Sequence, residues 1–428
     1  MKYFIKTFGC QMNVADSALV ASHLASLGMT QAVSAEEADV VVLNTCTVRF
    51  HAEHRALSYI GRLRPLKRKK PELKIIVTGC AAQRMGAELK KRFPVVDLVV
   101  GAREIDHFEE IYNRAFALES DAGEKKFARI DPRSKESPVA AFVTIMRGCD
   151  NYCSYCIVPY VRGPEKSRPS GEIIEEIRSG IKHGLEEVVL LGQNVNSYKD
   201  RDGGDFPNLL AKIDRIEGLK RIRFMTSHPK DLSPKLIDSF GKLGKLCEHL
   251  HLPLQSGSDK ILKAMNRRYT AYAYLKLVGD IKTRVPGISL TTDILTGFPG
   301  ETEEDLQMTL DLIERCAFNS VFAFKYSARE GTASYNIPET VSSVEKEERH
   351  ERVRELADKI SVAKHAELLG ATQNVLVEKT EGIMCTGRTR TNLKVFFEAS
   401  EGSHLNNKLV DVKITKTKIN TLIGKLIN

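Results

Sequence analysis

Along the first part of the chain, short apolar, β-branched runs alternate with longer stretches whose apolar positions recur at helical spacing. The runs at 3–8, 39–43, 74–78 and 95–100 predict strands, and the stretches at 16–27, 51–66 and 82–92 predict helices. Repeated strand–helix–strand units of this kind predict an N-terminal doubly wound parallel sheet. A helical tail at 104–118 follows, and then a polar stretch at 119–138, with Asp131-Pro132 and Ser137-Pro138, that reads as a linker. From Val139 the alternation restarts with longer units, and strands are expected at 140–146, 187–191, 221–225, 247–252, 289–294 and 320–324. Helical patterns separate them, so this region predicts a central (β/α)6 part-barrel. Residues 343–369 read as one charged helix, and beyond Gly370 the short runs 375–378, 394–398 and 409–414 predict a small all-β barrel. The fold class is thus α/β, with domains expected over 1–118, 138–368 and 369–428.

Composition changes this picture little. No apolar run approaches the roughly 20 residues that span a bilayer, so no membrane is expected. Met1-Lys2-Tyr3-Phe4-Ile5-Lys6 is strand-like and lacks the features of a signal peptide, which makes the cytoplasm the expected compartment. The net charge of +9, from 64 Lys+Arg against 55 Asp+Glu, is compatible with a polyanionic partner. Residues 370–428 hold nine Lys+Arg and five Asp+Glu, with the excess largely in Arg388, Arg390, Lys394, Lys413, Lys416 and Lys418. The run 62–70 is basic too, and reads either as a phosphate contact or as a solvated face.

Nine cysteines, an odd number in a chain without an export signal, argue against a disulfide framework and for metal ligands or catalytic thiols. Cys149, Cys153 and Cys156 follow a predicted strand with the spacing C-x3-C-x2-C. Three thiolates on one loop can wrap one face of an iron–sulfur cubane and leave one iron open to a substrate. A zinc site completed by a distant ligand is the alternative, although no His or Cys at zinc-knuckle spacing follows Cys156. Cys10, Cys46 and Cys80 lie 36 and 34 residues apart, each just past the end of a predicted strand. In a parallel sheet those ends share one edge, so neighbouring strands would bring the three thiols together at a second open cluster. The alternative is three buried cysteines packing as small hydrophobes. Cys247, Cys316 and Cys385 have no partner spacing and read as core or surface thiols.

Several further stretches carry a resemblance. They are Gly9-Cys10-Gln11-Met12-Asn13, Asn44-Thr45-Cys46, Gly79-Cys80-Ala81-Ala82-Gln83, Pro159-Tyr160-Val161-Arg162-Gly163, Gly192-Gln193-Asn194-Val195-Asn196-Ser197-Tyr198, Thr226-Ser227-His228-Pro229, Pro253-Leu254-Gln255-Ser256-Gly257 and Gly297-Phe298-Pro299-Gly300-Glu301-Thr302. With the two cysteine triads they make nearly the whole chain resemble the radical S-adenosylmethionine methylthiotransferase family, and within it the branch that acts on isopentenyladenosine in tRNA. The C-terminal piece with Gly387-Arg388-Thr389-Arg390-Thr391-Asn392 looks like a TRAM domain, a small RNA-binding barrel. One departure is 326–334, where the family commonly has three prolines that this chain lacks, which puts the stiffness of that loop in doubt.

The resemblance implies an enzyme with two four-iron, four-sulfur (4Fe-4S) clusters and S-adenosyl-L-methionine. Cys149, Cys153 and Cys156 would hold the cluster that cleaves S-adenosylmethionine to a 5′-deoxyadenosyl radical, and Cys10, Cys46 and Cys80 an auxiliary cluster carrying sulfur. The product would be a methylthio group on C2 of an N6-(dimethylallyl)adenosine in the tRNA anticodon loop. Loops after the later barrel strands should line the cofactor pocket, with Gln193, Ser227, Gln255 and Asp293 as candidates. His228 and His251 read as structural or substrate-shaping. Arg162, Glu165 and Arg168 read either as substrate or cofactor contacts or as a salt-bridged loop. An external electron donor and sulfur source are expected, and the chain is taken as a monomer. Sister enzymes acting on threonylcarbamoyladenosine or on a ribosomal-protein aspartate, and a non-catalytic RNA-binding metalloprotein, are the alternatives.

Overall fold

The computed structural model describes residues 1–116 and 139–427, so the expected linker lies outside the described residues. The chain forms two compact units that exchange short segments: 142–150 and 156–166 group with the N-terminal unit, and 151–155 with the C-terminal one.

In the first unit, strands β1 (Lys2–Thr7), β2 (Thr30–Gln31), β3 (Val40–Thr45), β4 (Lys74–Gly79) and β5 (Leu98–Gly101) form one parallel sheet in the order β2-β1-β3-β4-β5. Its central strands are buried along their length, and apolar from Val40 to Leu43 and from Ile75 to Val77, because both faces are covered. Val40, Val42 and Ile76 pack with Val20, Leu24 and Phe108, from helices α1 (Gln11–Ser26) and α6 (Phe108–Ala115). Val41, Leu43, Ile75 and Val77 pack on the other face with Ala56, Ile60 and Leu89. The latter come from α2 (Phe50–Arg62) and α5 (Ala87–Arg92), which are separated in the chain by α3 (Arg64–Lys69) and α4 (Cys80–Met85). The sheet is therefore doubly wound, as expected. The expected helix 51–66 is two helices that meet at Leu63, and 82–92 is broken at Gly86, whose φ is +49°. The basic run is partly engaged within this unit: Lys67 pairs with Asp97 at 3.0 Å and Lys70 with Asp39 at 2.7 Å.

The second region opens with β6 (Ala140–Thr144), followed by the two-residue strands β7 (Met146–Arg147) and β8 (Lys166–Ser167). Then come β9 (Glu187–Leu191), β10 (Arg221–Phe224), β11 (His249–His251), β12 (Ser289–Thr296) and β13 (Ser320–Lys325). The expected part-barrel consists of two three-stranded sheets, β10-β9-β6 and β11-β12-β13. A single parallel bridge, Ile222 to Leu246, joins the β10 edge to the chain entering β11. The ladder stops there because the next carbonyl that could accept from β10, that of Cys247, accepts from the His249 amide at 2.8 Å instead. On the other side of this segment the Arg390 guanidinium donates to the carbonyls of Gly244 and Leu246, at 3.0 and 2.6 Å. The loop that lacks the family's prolines is held by hydrogen bonds instead: the Ser334 amide donates to the Ser154 carbonyl (2.8 Å) and Thr332 Oγ1 to the Arg329 carbonyl (2.7 Å).

The helix Ser343–Ala366 begins with a capping box of Ser342 and Glu345. After it, β14 (Thr372–Glu381), β15 (Met384–Thr389), β16 (Lys394–Glu398), β17 (Leu409–Lys418) and β18 (Thr421–Leu426) close a barrel in the order β14-β15-β16-β18-β17. Among the described residues no helix is long and apolar enough to cross a membrane.

Two buried histidines make this fold acid-sensitive. Burial pushes the His228 imidazole down to about 2, helped by Arg267, Lys230 and Arg268, and burial holds His249 well below its ordinary value. Both stay neutral in the folded chain, whereas the unfolded chain takes up their protons as pH drops below 6.5. Stability is therefore lost as pH falls, by up to about 1.4 kcal/mol per pH unit for each histidine. The buried Glu301 works the other way: burial raises its carboxyl above the ordinary value, so the folded chain takes up that proton first and regains a little stability at the acid end of this range. Denaturant midpoints between about pH 6.5 and 4.5 should fall steeply in the parent chain and less steeply in H228Q and H249Q.

Candidate functional site

Cys10, Cys46 and Cys80 sit at the C-terminal ends of β1, β3 and β4, three adjacent strands. Side chains from the same short motifs stitch the ends together. Asn13 Nδ2 donates to Asn44 Oδ1 (2.8 Å), and Asn44 Nδ2 donates back to the Asn13 carbonyl (2.9 Å). Thr45 Oγ1 donates to the Thr78 carbonyl (2.6 Å) and accepts from the Ala82 amide (3.2 Å). Gly79, at φ +94°, allows this contact, since a Cβ there would lie 2.4 Å from the Thr45 carbonyl oxygen. A Cβ on Gly9 would lie 2.8 Å from Cys46 Cβ, which places the Cys46 side chain against the turn that carries Cys10.

Burial pushes the Cys80 thiol up to about 11, with the neighbouring Cys46 and Cys10 adding to the rise and Arg162 opposing it. Burial raises Cys46 too, and Cys10 adds to it. Among the described residues no three Cys, His, Asp or Glu side chains stand close enough to hold one metal ion. Three thiolates on three irons of a cubane stand wider apart than three on a single ion. The donor set fits such a cluster: three thiols and a buried cation, with no carboxylate oxygen bonded to any of the three sulfurs.

That cation is Arg162, on the helix α7 (Val158–Arg162), whose side chain is 4% exposed. Its Nε lies 3.3 Å from Cys80 Sγ and its Nη2 2.8 Å from Asp16 Oδ2. Asp16 is fully buried. Burial alone would raise its carboxyl, but Arg162 and Arg147 hold it below the ordinary value. Arg147 Nη1 completes the network, 2.6 Å from Asp16 Oδ1. The sequence marks Asp16 only by its phase: it shares the buried face of α1 with Met12, Asn13 and Val20, where an apolar residue is expected.

Of the second triad, Cys149 and Cys156 are carried by the first unit and Cys153 by the second. The Cys149 amide donates to the Gly163 carbonyl at 3.1 Å. Gly148, at φ +81°, makes this approach feasible, because a Cβ there would be 1.9 Å from the Pro164 carbonyl oxygen. G148A should therefore cost the apoprotein about 3 kcal/mol, read from its denaturant midpoint, and lower the iron it takes up. In the other unit, Arg267 Nη1 lies 3.3 Å from Cys153 Sγ, while Nη2 donates to the Pro253 carbonyl at 2.8 Å. Burial opposes the charge of Arg267; Tyr269, Tyr155 and Cys153 outweigh it and hold the guanidinium protonated. Nothing in the local sequence, Asn266-Arg267-Arg268, marks Arg267 for this contact.

The four pocket candidates lie after or on the parallel strands. Gln193 and Ser227 follow β9 and β10, and Gln255 is bridged to β12, its amide donating to the Asp293 carbonyl at 2.8 Å. Ser227 Oγ and His228 Nε2 are buried without a hydrogen-bond partner among the described residues. Buried polar atoms of this kind signal an absent ligand or water. Asp293 lies 3.3 Å from His251, whose other ring nitrogen is 3.0 Å from Thr291 Oγ1, and the His251 ring packs on Phe322. Arg168 pairs with Glu176 at 2.7 Å, and Glu165 exchanges amide contacts with Asp150. These two belong to local ties, and Arg162 belongs to the thiol site.

Parallel (β/α) strands with a C-x3-C-x2-C run after the first of them are the pattern of the radical S-adenosylmethionine class. The model of that superfamily matches residues 143–313. A model described as uncharacterized protein family UPF0004 matches 2–101, and the TRAM domain model matches 366–427. A solved radical S-adenosylmethionine methyltransferase, TsrM from Kitasatospora setae, shares the fold at a TM-score of 0.56 and 16% identity, covering 78% of this chain and 76% of that one. The tRNA-2-methylthio-N(6)-dimethylallyladenosine synthase of Endomicrobium trichonymphae is 45% identical over the full length of both chains. That of Geobacter metallireducens is 47% identical, over 99% of this chain and 98% of its own. The chain belongs to the family of tRNA-2-methylthio-N(6)-dimethylallyladenosine synthases.

Proposed function

We infer that this chain attaches a methylthio group to C2 of N6-(dimethylallyl)adenosine in the anticodon loop of tRNA, using S-adenosylmethionine and two 4Fe-4S clusters. Cys149, Cys153 and Cys156 hold one cluster, and Cys10, Cys46 and Cys80 the other. The observation that carries the reading is the full-length identity to synthases of this name together with both thiol triads in place. An adenine C2–H is not acidic enough for any side-chain base of ordinary pKa. When bound, the clusters and S-adenosylmethionine supply the one-electron chemistry and the sulfur ligation that side chains lack.

The chain's own residues bind, orient and exclude water. Gln193, Ser227, Gln255 and Asp293 bind S-adenosylmethionine, with the unpartnered Ser227 hydroxyl as a ready donor or acceptor. The C-terminal barrel grips RNA. Arg390 is held by Glu248 at 2.7 Å and Arg388 by Glu378 at 3.1 Å, which leaves the exposed Lys413, Lys416 and Lys418 of β17 as the phosphate contacts. The reading takes the chain as a cytoplasmic monomer, fed by an external reductant and sulfur source, with domains over 1–118, 138–368 and 369–428. Nucleosides hydrolysed from the tRNA of a deletion strain test it. Loss of 2-methylthio-N6-(dimethylallyl)adenosine with a rise in its unmethylthiolated precursor is expected. An unchanged peak would overturn the assignment.

A further inference from the structure

The guanidinium of Arg162 has one end unaccounted for. Nε is taken by Cys80 and Nη2 by Asp16, but Nη1 is buried with no hydrogen-bond partner among the described residues. A buried, charged N–H group without an acceptor costs free energy and survives where an acceptor arrives later. The site next to it carries three thiols, which on the reading above would leave one iron of a cluster with a position to fill, and Arg162 Nε stands 3.3 Å from one of them, Cys80. A cation there complements an anion, and Arg147 and Asp16 hold the guanidinium in place from behind. Asp16 alone cannot explain Arg162, because Arg147 already supplies that carboxylate with a counter-charge at 2.6 Å.

We propose that Arg162 is the anion-holding residue of the Cys10/Cys46/Cys80 site, its Nη1 donating a hydrogen bond to the monovalent sulfur ligand, hydrosulfide or methanethiolate, received at the open iron. The proposal deepens the reading above and rests on those three cysteines holding a cluster. Binding there needs no electron transfer: hydrosulfide binds as it stands, methanethiol gives its thiol proton to the buffer, and the anionic sulfur would fill the open position with its charge met by the guanidinium. Cys80 is held through Nε of the same group, so ligand and cluster thiolate share one rigid fork.

The test uses the full chain with Cys149, Cys153 and Cys156 all changed to Ala, reconstituted anaerobically so that only the first triad loads. Sodium methanethiolate and, separately, sodium sulfide are titrated in, and binding is followed by the electron paramagnetic resonance spectrum of the reduced cluster. Loss of one charge-assisted hydrogen bond should weaken both ligands about ten- to a hundredfold in R162K, with iron content unchanged. If R162K takes up no iron, D16N/R162Q, which keeps a neutral hydrogen-bonded pair in the same place, carries the same titration. An affinity within about threefold of the parent in whichever variant loads would overturn the proposal. Failure of both variants to load iron would overturn it as well, making Arg162 a brace for the fold. A parent chain that forms a cluster but binds neither ligand would instead sink the sulfur-carrying role of the site, independently of Arg162.

Discussion

C153A should form no methylthiolated nucleoside and should bind half of the parent's iron, while the folded apoprotein keeps its stability. The loop is held by contacts that do not need the thiol. The Ser154 amide donates to the Met265 carbonyl at 3.0 Å and its carbonyl accepts from the Ser334 amide at 2.8 Å. Asn266 Nδ2 donates to the Tyr152 carbonyl at 2.9 Å. Arg267 keeps its bonds to the Pro253 carbonyl and Tyr269 when Cys153 is removed. On the assignment proposed above, what disappears is one of three ligands in a set with no spare, so the lost activity would belong to the site and not to unfolding. C247A, C316A and C385A provide the control: those thiols are buried in the core, and their removal should leave the iron count at the parent level. Anaerobic iron and sulfide quantification, paired with nucleoside analysis of a modified tRNA, reads both. Full iron in C153A would refute the ligand assignment.

R223M should destabilise the second unit by about 3–5 kcal/mol and loosen the C-terminal barrel. Arg223 is buried on β10, with Nε 3.0 Å from Glu187 Oε1. Its Nη1 and Nη2 donate to the carbonyls of Arg390 and Thr389, both at 2.7 Å. Removing the guanidinium leaves Glu187, which is 3% exposed, without its bonded counter-charge and strips two barrel carbonyls of their donor. The first unit contains none of these groups. Iron uptake by the Cys10/Cys46/Cys80 site should therefore persist while limited proteolysis releases a C-terminal fragment. A loss below about 1 kcal/mol would mean that Arg221, which donates to the Arg388 and Asn374 carbonyls, suffices alone.

The elements that the sequence revealed are those whose pattern is set by burial on both faces. Val40 to Leu43 and Ile75 to Val77 are apolar without a break because helices cover both sides of the sheet, and the boundaries of their strands fall within a residue or two of expectation. The thiol positions were legible for the same reason: a cysteine after each of three such strands has only one edge to occupy. Met384–Thr389 was missed. Cys-Thr-Gly-Arg-Thr carries no apolar alternation, and the strand is recruited by barrel closure, where Gly387 lets the Leu376 carbonyl approach. The basic excess of the C-terminal region includes Arg388 and Arg390, but charge counts cannot show that Glu378 and Glu248 already face them. Asn13, Asn44 and Thr45 stood inside quoted motifs. Their work as ties between loops depends on strand order, which spacing does not state.

The three arginine side chains that seat the barrel also set a length. Arg221 and Arg223 lie on β10, and the loop with Ser227 leaves the far end of the same strand. At 3.3 Å per residue, the three steps from Arg221 to the strand's end at Phe224 set the barrel anchor roughly 10 Å from where that loop begins. On the function proposed above, the RNA grip and the cofactor pocket thus hang on opposite ends of one strand.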